Sequence, residues 1–567
     1  MIKILLLTHI DSDNLGDQLI EICDVALLHT VMKNLGYTES DYEILSEKAA
    51  AIPPKYMQTR DPNLIKGAKK MVRDADIVML GGAPQFNYLY QYFSERSVLF
   101  CKFAKKFNKP IIFSAIGIEN YDPTHPKCQK LKRALAYDCV KMVTTRDNLP
   151  DLKRLVTKKN VITAQVADPA VVTAQVMRNC RSARTNKIGL VMIRGNAFID
   201  NGIDFSGEDL AKMWVDLIQE IQQRGYDYEL ITSGHYADEQ YMDMLVRWWG
   251  VKLKKCVFNT YTPDQLVNKL SSYAGVVTCR LHPSIISYSL KVPSVGIVWN
   301  PKVEGFYKAV NYQDRIICVD ECSPKHIMDK LEAAMAEGVS QDPEFVCSIY
   351  NSLFTVMKQQ FCPDNDAVAY DYEKLMQELP AYAGTTPEES HTKLVQQSRR
   401  CYKNFNKLEQ KHKNLGRELD FYKTKFDLTK HPLSIKYFTP GGAEVVCQYN
   451  EADGEKTLFA GTGCEYTAPS MLFHNNGKDK AHKISYQRNG YRFLGWYVRV
   501  RSYDTWFWLM ADKTLCMREN TLWANMRTNR YLVKDMEEIP VIPLKAINAI
   551  VLEACWGKEC LPSGTAT

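Results

Sequence analysis

Val277-Thr278-Cys279-Arg280-Leu281-His282-Pro283-Ser284 decides the reading of this chain. The apolar run from Tyr273 to Val277 has the make-up of a buried strand. It ends in Arg-Leu-His, and a helical pattern follows at Ile285, Ile286, Tyr288 and Leu290. A second apolar run, Val295 to Trp299, precedes Asn300-Pro301-Lys302. Two cations and an imidazole therefore stand just past strand C-termini, where open α/β sheets bind ligands. The expected pocket takes a small, strongly anionic compound and contains an acid–base group.

Working outward, the same scheme repeats on both sides. Upstream in this unit, strands are expected at Lys187–Ile193, Tyr228–Thr232 and Lys254–Phe258, with helices Glu208–Arg224, Asp238–Trp249 and Pro263–Tyr273 between them. Downstream come a strand at Arg315–Val319 and helical patterns at Pro324–Ala336 and Pro343–Leu379. Toward the N-terminus, Lys3–Thr8, Asp76–Leu80, Pro110–Ser114, Val140–Thr145 and Val161–Val166 read as strands, with a helix over Asp17–Asn34. Repeated strand–helix units imply parallel sheets with right-handed crossovers. The expected fold class is α/β: two tandem doubly wound, Rossmann-like domains, 1–186 and 187–382, with a cleft between them.

At 567 residues the chain exceeds one core. Its 46% hydrophobic and 24% charged residues are those of a globular protein. No apolar run reaches roughly 18 residues, so no membrane-spanning helix is expected. The N-terminus lacks the basic stretch and cleavage site of a signal peptide, and the expected location is cytoplasmic. The 17 cysteines are scattered through apolar runs without a CxxC pair, which reads as reduced thiols rather than a disulfide scaffold or a metal site. The net charge of +7 is local: residues 391–430 hold eleven Lys or Arg against four Asp or Glu. Global charge therefore does not imply a nucleic-acid partner.

Residues 383–429 read as a linker followed by a basic helix. Leu394, Cys401, Phe405, Leu408, His412, Leu415, Leu419, Tyr422 and Phe426 give an imperfect heptad seam. That helix packs on its own domain, forms a coiled coil that pairs two chains through residues 391–426 or spaces the last domain away, or lays its basic face on polysaccharide or on anionic lipid at the inner face of the membrane. Residues 430–560 read as a small β-rich domain, with Gly441-Gly442, Asn476-Gly477 and Asn489-Gly490 as turns. Phe493-Leu-Gly-Trp-Tyr497 resembles the Phe-x-Gly-Trp-Tyr signature of β-rich repeats in bacterial surface and capsule proteins. Trp496, Trp506 and Trp508 are either core or an exposed carbohydrate-binding set.

Further residues join the expected site. Asn14-Leu15-Gly16-Asp17 follows the first strand and opens a helix, offering free N–H groups to an anion, with Asp17 as a catalytic residue or simply the helix cap. Gly81-Gly82 closes another strand. Arg146 ends a third, either aimed at a ligand or paired with Asp147 on the surface. Asp168 opens a turn or would face the same cleft, His235 is structural or does likewise, and with Asn14 they are candidates for the acceptor side.

The order Asn-x-Gly-Asp17, Gly81-Gly82, Ser114-Ala-Ile-Gly117, Thr-Arg146-Asp, Asp168-Pro-Ala, Cys-Arg280-Leu-His282 and Lys302 resembles the polysaccharide pyruvyl transferase family over about residues 1–380. The resemblance implies a fold like that of two-domain B-type glycosyltransferases. It also implies phosphoenolpyruvate as donor, no further cofactor or metal, and a sugar or lipid-linked oligosaccharide of a bacterial surface glycan as acceptor. By motif, Arg146, His282 and Lys302 would bind and activate the donor with Arg280 beside them, and Gly16, Gly81 and Gly82 are expected on the donor side. Ala83 and Trp299-Asn300-Pro301 depart from the usual pattern. The residue types suit the chemistry. Arg and Lys neutralise a carboxylate and a phosphate. His282 protonates the methylene carbon, and Asp17 or Asp168 takes the hydroxyl proton. The rival readings are a nucleotide-sugar glycosyltransferase of the same architecture and a non-catalytic capsule-assembly or glycan-binding scaffold. For His282 the plain alternative is a core histidine.

Overall fold

Ile2–Thr8 is apolar without alternation, the pattern of a strand buried on both faces, and it lies inside a parallel sheet. The computed structural model describes residues 1–425 apart from 90, 91 and 120. Beyond them it describes segments 433–438, 444–449, 465–466, 484–485, 491–502, 505–511, 515–517, 530–533 and 547–558. The chain divides into two units, residues 1–400 and 401–567.

The first unit holds two six-stranded parallel sheets. One contains β1 (Ile2–Thr8), β2 (Tyr42–Lys48), β3 (Ile77–Gly81), β4 (Ile111–Ile116), β5 (Val140–Thr145) and β6 (Ile162–Gln165), in the order β2-β1-β3-β4-β5-β6. The other contains β7 (Lys187–Val191), β8 (Asp227–Ile231), β9 (Cys256–Val257), β10 (Gly275–Thr278), β11 (Ser294–Ile297) and β12 (Ile316–Ile317), in the order β9-β8-β7-β10-β11-β12. The fold is thus two tandem Rossmann-like α/β domains. Strand order reverses between β1 and β3 in the first sheet and between β7 and β10 in the second. Crevices at such reversals are where these sheets bind ligands.

Three expectations need correction. Strand β2 was not anticipated. Its sequence, Tyr-Glu-Ile-Leu-Ser-Glu-Lys, is half polar because it is an edge strand with one fully buried residue, held in register by β1. The helical stretch expected over Pro343–Leu379 is two helices, Pro343–Phe361 and Tyr372–Glu378. Pro363 disfavours helical geometry at Cys362, whose φ and ψ are −152° and 64°. The first of these helices also reaches back to the first domain. Val346, Ile349, Leu353 and Met357 pack with Ile4, Leu6, Leu27 and Val31 of the first, each buried aliphatic side chain contributing about 1.5–3 kcal/mol. Asn34 Nδ2 donates to Tyr350 Oη at 2.7 Å across this contact.

One continuous helix spans Pro387–Lys425. Thr386 and Glu389 cap its start reciprocally, each backbone N–H donating to the other's side chain. Its seam residues Phe405, Leu408 and Leu415 are exposed, and Phe426 lies outside the described residues. In the second unit, Tyr491–Ser502 pairs with Ile547–Lys558 and Thr505–Leu509. Trp496 and Trp508 are buried there, so neither is an exposed carbohydrate platform; Trp506 is half-buried. The Gly-Gly and Asn-Gly turns fall outside the described residues. No helix among the described residues is long and apolar enough to cross a membrane.

Candidate active site

The loop after β1 folds back on itself before the helix Leu15–Asn34. Ser12 N donates to His9 O, and the Asn14 side chain accepts from Gly16 N at 3.2 Å. Asn14 is therefore the helix cap. Asp17 is left half-buried in the first turn. Leu15 N donates to Ser233 O of the second domain at 2.8 Å, tying the two halves at the cleft.

Gly16 is required by that approach. A Cβ at this position would lie 2.1 Å from His282 Nδ1, so the imidazole of one domain rests directly on the backbone of the other. His282 sits in the first turn of the helix Leu281–Ser289 and is buried. Its Nε2 is 3.4 Å from Arg146 Nη1 and 4.0 Å from Asp168 Oδ2. Arg146 Nη1 in turn donates to Asp168 Oδ2. The expected alternative of a surface pair between Arg146 and Asp147 is excluded. Asp147 instead accepts from Ile118 N at 3.0 Å and from Thr145 Oγ1 at 3.0 Å.

Arg280 is differently engaged. Its Nε and Nη2 grip the two oxygens of fully buried Asp238 at 2.9 and 2.5 Å, and its guanidinium lies 5.8 Å from the Trp299 ring centroid. Asn300 caps the next helix, Pro301–Ala309, and Lys302 in its first turn contacts Glu119 of the first domain. Glu119 also accepts from Asn87 Nδ2 at 2.7 Å.

These groups surround a cavity of about 580 Å³ between the C-terminal ends of the two sheets. Of the residues singled out from sequence, Asn14, Asp17, Arg146, His235, Arg280, His282 and Lys302 line it. Asp168 does not: it stands behind Arg146 and His282, its other oxygen accepting from Ala170 N at 2.9 Å. Gly81 and Gly82 do not line it either. A Cβ at Gly81 would meet Asp24 at 2.2 Å and one at Gly82 would meet Ile20 at 2.6 Å, so both serve helix packing. Ala83 and Pro84 form that wall. Sequence reasoning missed His9, Arg96, Glu119 and Asp238; His9 ends β1 at its reversal and bore the same positional signal as His282. A larger cavity of about 760 Å³, near Tyr37, Tyr42 and Tyr382, holds none of these residues.

Burial lowers the pKa of His9, His235 and His282, and the Asp17 carboxylate opposes the shift at each. At His282, Asp168 also opposes it and Arg146 adds to it. Burial pushes Lys302 down to about 8, again against Asp17. Burial works against the charge on Arg146 too, but Asp168, Asp147 and Asp17 outweigh it and its pKa is raised. Asp17 is thus the carboxylate common to these five groups, His9, Arg146, His235, His282 and Lys302. The arrangement can hold a multiply charged anion, and it presents imidazoles as proton carriers.

The family model for polysaccharide pyruvyl transferases matches residues 14–301. The chain belongs to this family. It is accordingly a transferase, and Asn14, Asp17, Arg146, Arg280 and His282 all lie within the matched span. No curated protein matches the chain. Among solved structures, it is similar to UDP-GlcNAc 2-epimerase from Methanocaldococcus jannaschii, at 12% identity and TM-score 0.43, over 63% of this chain and 99% of that one. A putative UDP-N-acetylglucosamine 2-epimerase from Listeria monocytogenes matches at 12% identity and TM-score 0.43, over 65% and 99%. The E. coli heptosyltransferase WaaC with ADP matches at 11% identity and TM-score 0.34, over 59% and 100%.

Proposed function

We propose that the enzyme transfers a pyruvyl group from phosphoenolpyruvate to a sugar hydroxyl or diol of a bacterial surface polysaccharide or its lipid-linked precursor. The product is a pyruvate ketal, and phosphate is released. The observation that carries this reading is the convergence of Arg146, His282, Lys302 and Asp17 on one cavity at the strand-order reversals of both sheets. Arg146 and Lys302 supply fixed positive charge for a donor bearing a carboxylate and a phosphate, the second as a point charge. Arg280, already bidentate to Asp238, shapes the wall and adds its field.

In the proposed reaction a proton adds to the methylene carbon of the donor and leaves an oxocarbenium-like centre. A sugar hydroxyl adds there, phosphate departs, and a second hydroxyl closes the ring. Of the two hydroxyl protons, one replaces that delivered to carbon and the other leaves with phosphate. His282 is the proposed acid. Burial holds it toward the neutral form, so the donor's own negative charge must raise its pKa on binding. Asp17 is the proposed acceptor of the hydroxyl proton, since Asp168 is paired behind the wall. His235 and Asn14 are the proposed acceptor-side residues.

Phosphate release from phosphoenolpyruvate, measured with and without candidate glycans, tests the reading. Acceptor-dependent release that disappears in His282→Ala is the expected result. No release with any acceptor, or full turnover by His282→Ala at saturating donor, would sink it. Pairing of chains through residues 391–426, and contact of that basic helix with anionic lipid, belong to the same proposal.

A further inference from the structure

We infer that Lys393 and Gln18 are positioning residues of the transferase centre: the first turns of the long helix brace the loop that carries His9, Asp11, Asp13 and Asn14. The inference rests on reading the cleft as the active site. Gln18 lies one residue beyond Asp17. Its Nε2 donates to Ser12 O at 2.8 Å, and its Oε1 accepts from Lys393 Nζ at 2.8 Å. Both ends of the amide are thereby fixed, and so is the carbonyl at the middle of the loop. Ser12 Oγ passes the constraint on by accepting from Asn14 N at 3.1 Å. A chain of three hydrogen bonds thus runs from Lys393 to the cap of the helix on which His282 rests.

The brace is itself anchored to the other domain. Thr385 N, just ahead of the helix, donates to Asp264 Oδ2 at 2.9 Å. Asp264 opens the helix Pro263–Ser272, which packs beneath the second sheet. The helix that begins at Pro387 therefore grips the second domain at one point and the catalytic loop of the first at another. A polar gap of about 70 Å³ separates Asp11, Ser12 and Asp13 from Lys393, Gln396 and Gln397, with Gly234 and Tyr261 at its edge. That is room for about two waters, and Gln397 Oε1 is buried there without a protein partner. Gly234, at φ 89°, lets the second domain close on the same loop, since a Cβ there would lie 2.5 Å from Asp13 O. Burial lowers the pKa of Lys393, and Glu389, Asp264 and Glu21, carboxylates from three helices, oppose the shift.

Misplacing a loop by about an ångström can cost on the order of a hundredfold in rate, and removing one brace is expected to cost about tenfold. Lys393→Met keeps the stem and deletes the donor; Lys393→Arg keeps a donor. In the full-length protein, hydrogen–deuterium exchange at residues 9–14 is expected to speed up in Lys393→Met and in Gln18→Ala, with the melting temperature unchanged. It should return toward the parent rate in Lys393→Arg. Turnover of phosphoenolpyruvate should fall about tenfold in each single variant and no further in the double. Parent-like exchange at residues 9–14 in Lys393→Met overturns the inference whatever turnover does, and so do independent, multiplying losses in the double variant. If the parent releases no phosphate from phosphoenolpyruvate, the donor assignment fails while the exchange measurement still decides the brace.

Discussion

The two halves of the first unit are built alike but present charge to the cleft in different ways. In the second half, Arg280 is gripped by Asp238 from its own domain, so that cation is complete before the halves meet. The reactive set is shared. Arg146 and Asp168 come from the first domain and His282 from the second, Lys302 reaches Glu119 across the cleft, and the His282 ring lies on Gly16. The Arg280–Asp238 pair, made within one half, shapes a wall. Pairs made across the cleft exist only when both walls are in place, and these are the groups whose charge can change with the ligand.

The largest break in this comparison is removal of the shared imidazole. His282→Ala is expected to lower turnover by roughly 10²–10⁴, the range for loss of a general acid, read as phosphate release at saturating phosphoenolpyruvate. Next comes the pair within the second half. Asp238→Ala leaves part-buried Arg280 without its bidentate partner, and a denaturant titration should show a loss of about 1.5–3 kcal/mol. An unchanged midpoint with weakened donor binding would instead move Arg280 into the reactive set. Gly16→Ala drives a methyl into the ring and should cost about a hundredfold in turnover. Because it acts through His282, it should cost nothing further in a His282→Ala background.

The smallest effect is on pH. Lys302 carries its charge below about 8 and loses it above. The KM for donor should therefore rise several-fold as pH climbs through that value, and Lys302→Met should flatten the limb. Burial depresses His282, so the limb that it contributes to kcat/KM should lie below its ordinary value of 6.5, with the corresponding limb in kcat displaced upward by the bound anion. Coincident limbs would argue against donor-raised protonation.

Much of this was readable in the chain because parallel strands are apolar throughout and their C-termini announce themselves by an abrupt polar residue. Arg146, His282 and Lys302 were found that way. What escaped was set by partners distant in sequence. Gly81 looked like a ligand-facing turn because nothing local reveals that Asp24 occupies the space above it. Asp238 looked like a helix start because its role depends on Arg280, 42 residues later. Strand β2 was invisible because an edge strand need not be apolar. Of the two readings of Asp168, turn and cleft, its side chain takes the turn and caps the following 3-10 turn. The division between compact units also falls inside the long helix rather than at a break in composition.

The return of the helix Pro343–Phe361 to the first sheet bears on how the protein is made. Leu27, Val31 and Met32 find their cover among residues synthesised more than three hundred positions later. The amino-terminal half therefore leaves the ribosome with an open apolar flank, and it cannot finish folding until the whole of its neighbour has been translated. Domains of this family member should not mature one after the other. Nascent chains that stop short of residue 343 are expected to be held by chaperones, whereas chains that pass residue 361 can close both domains together.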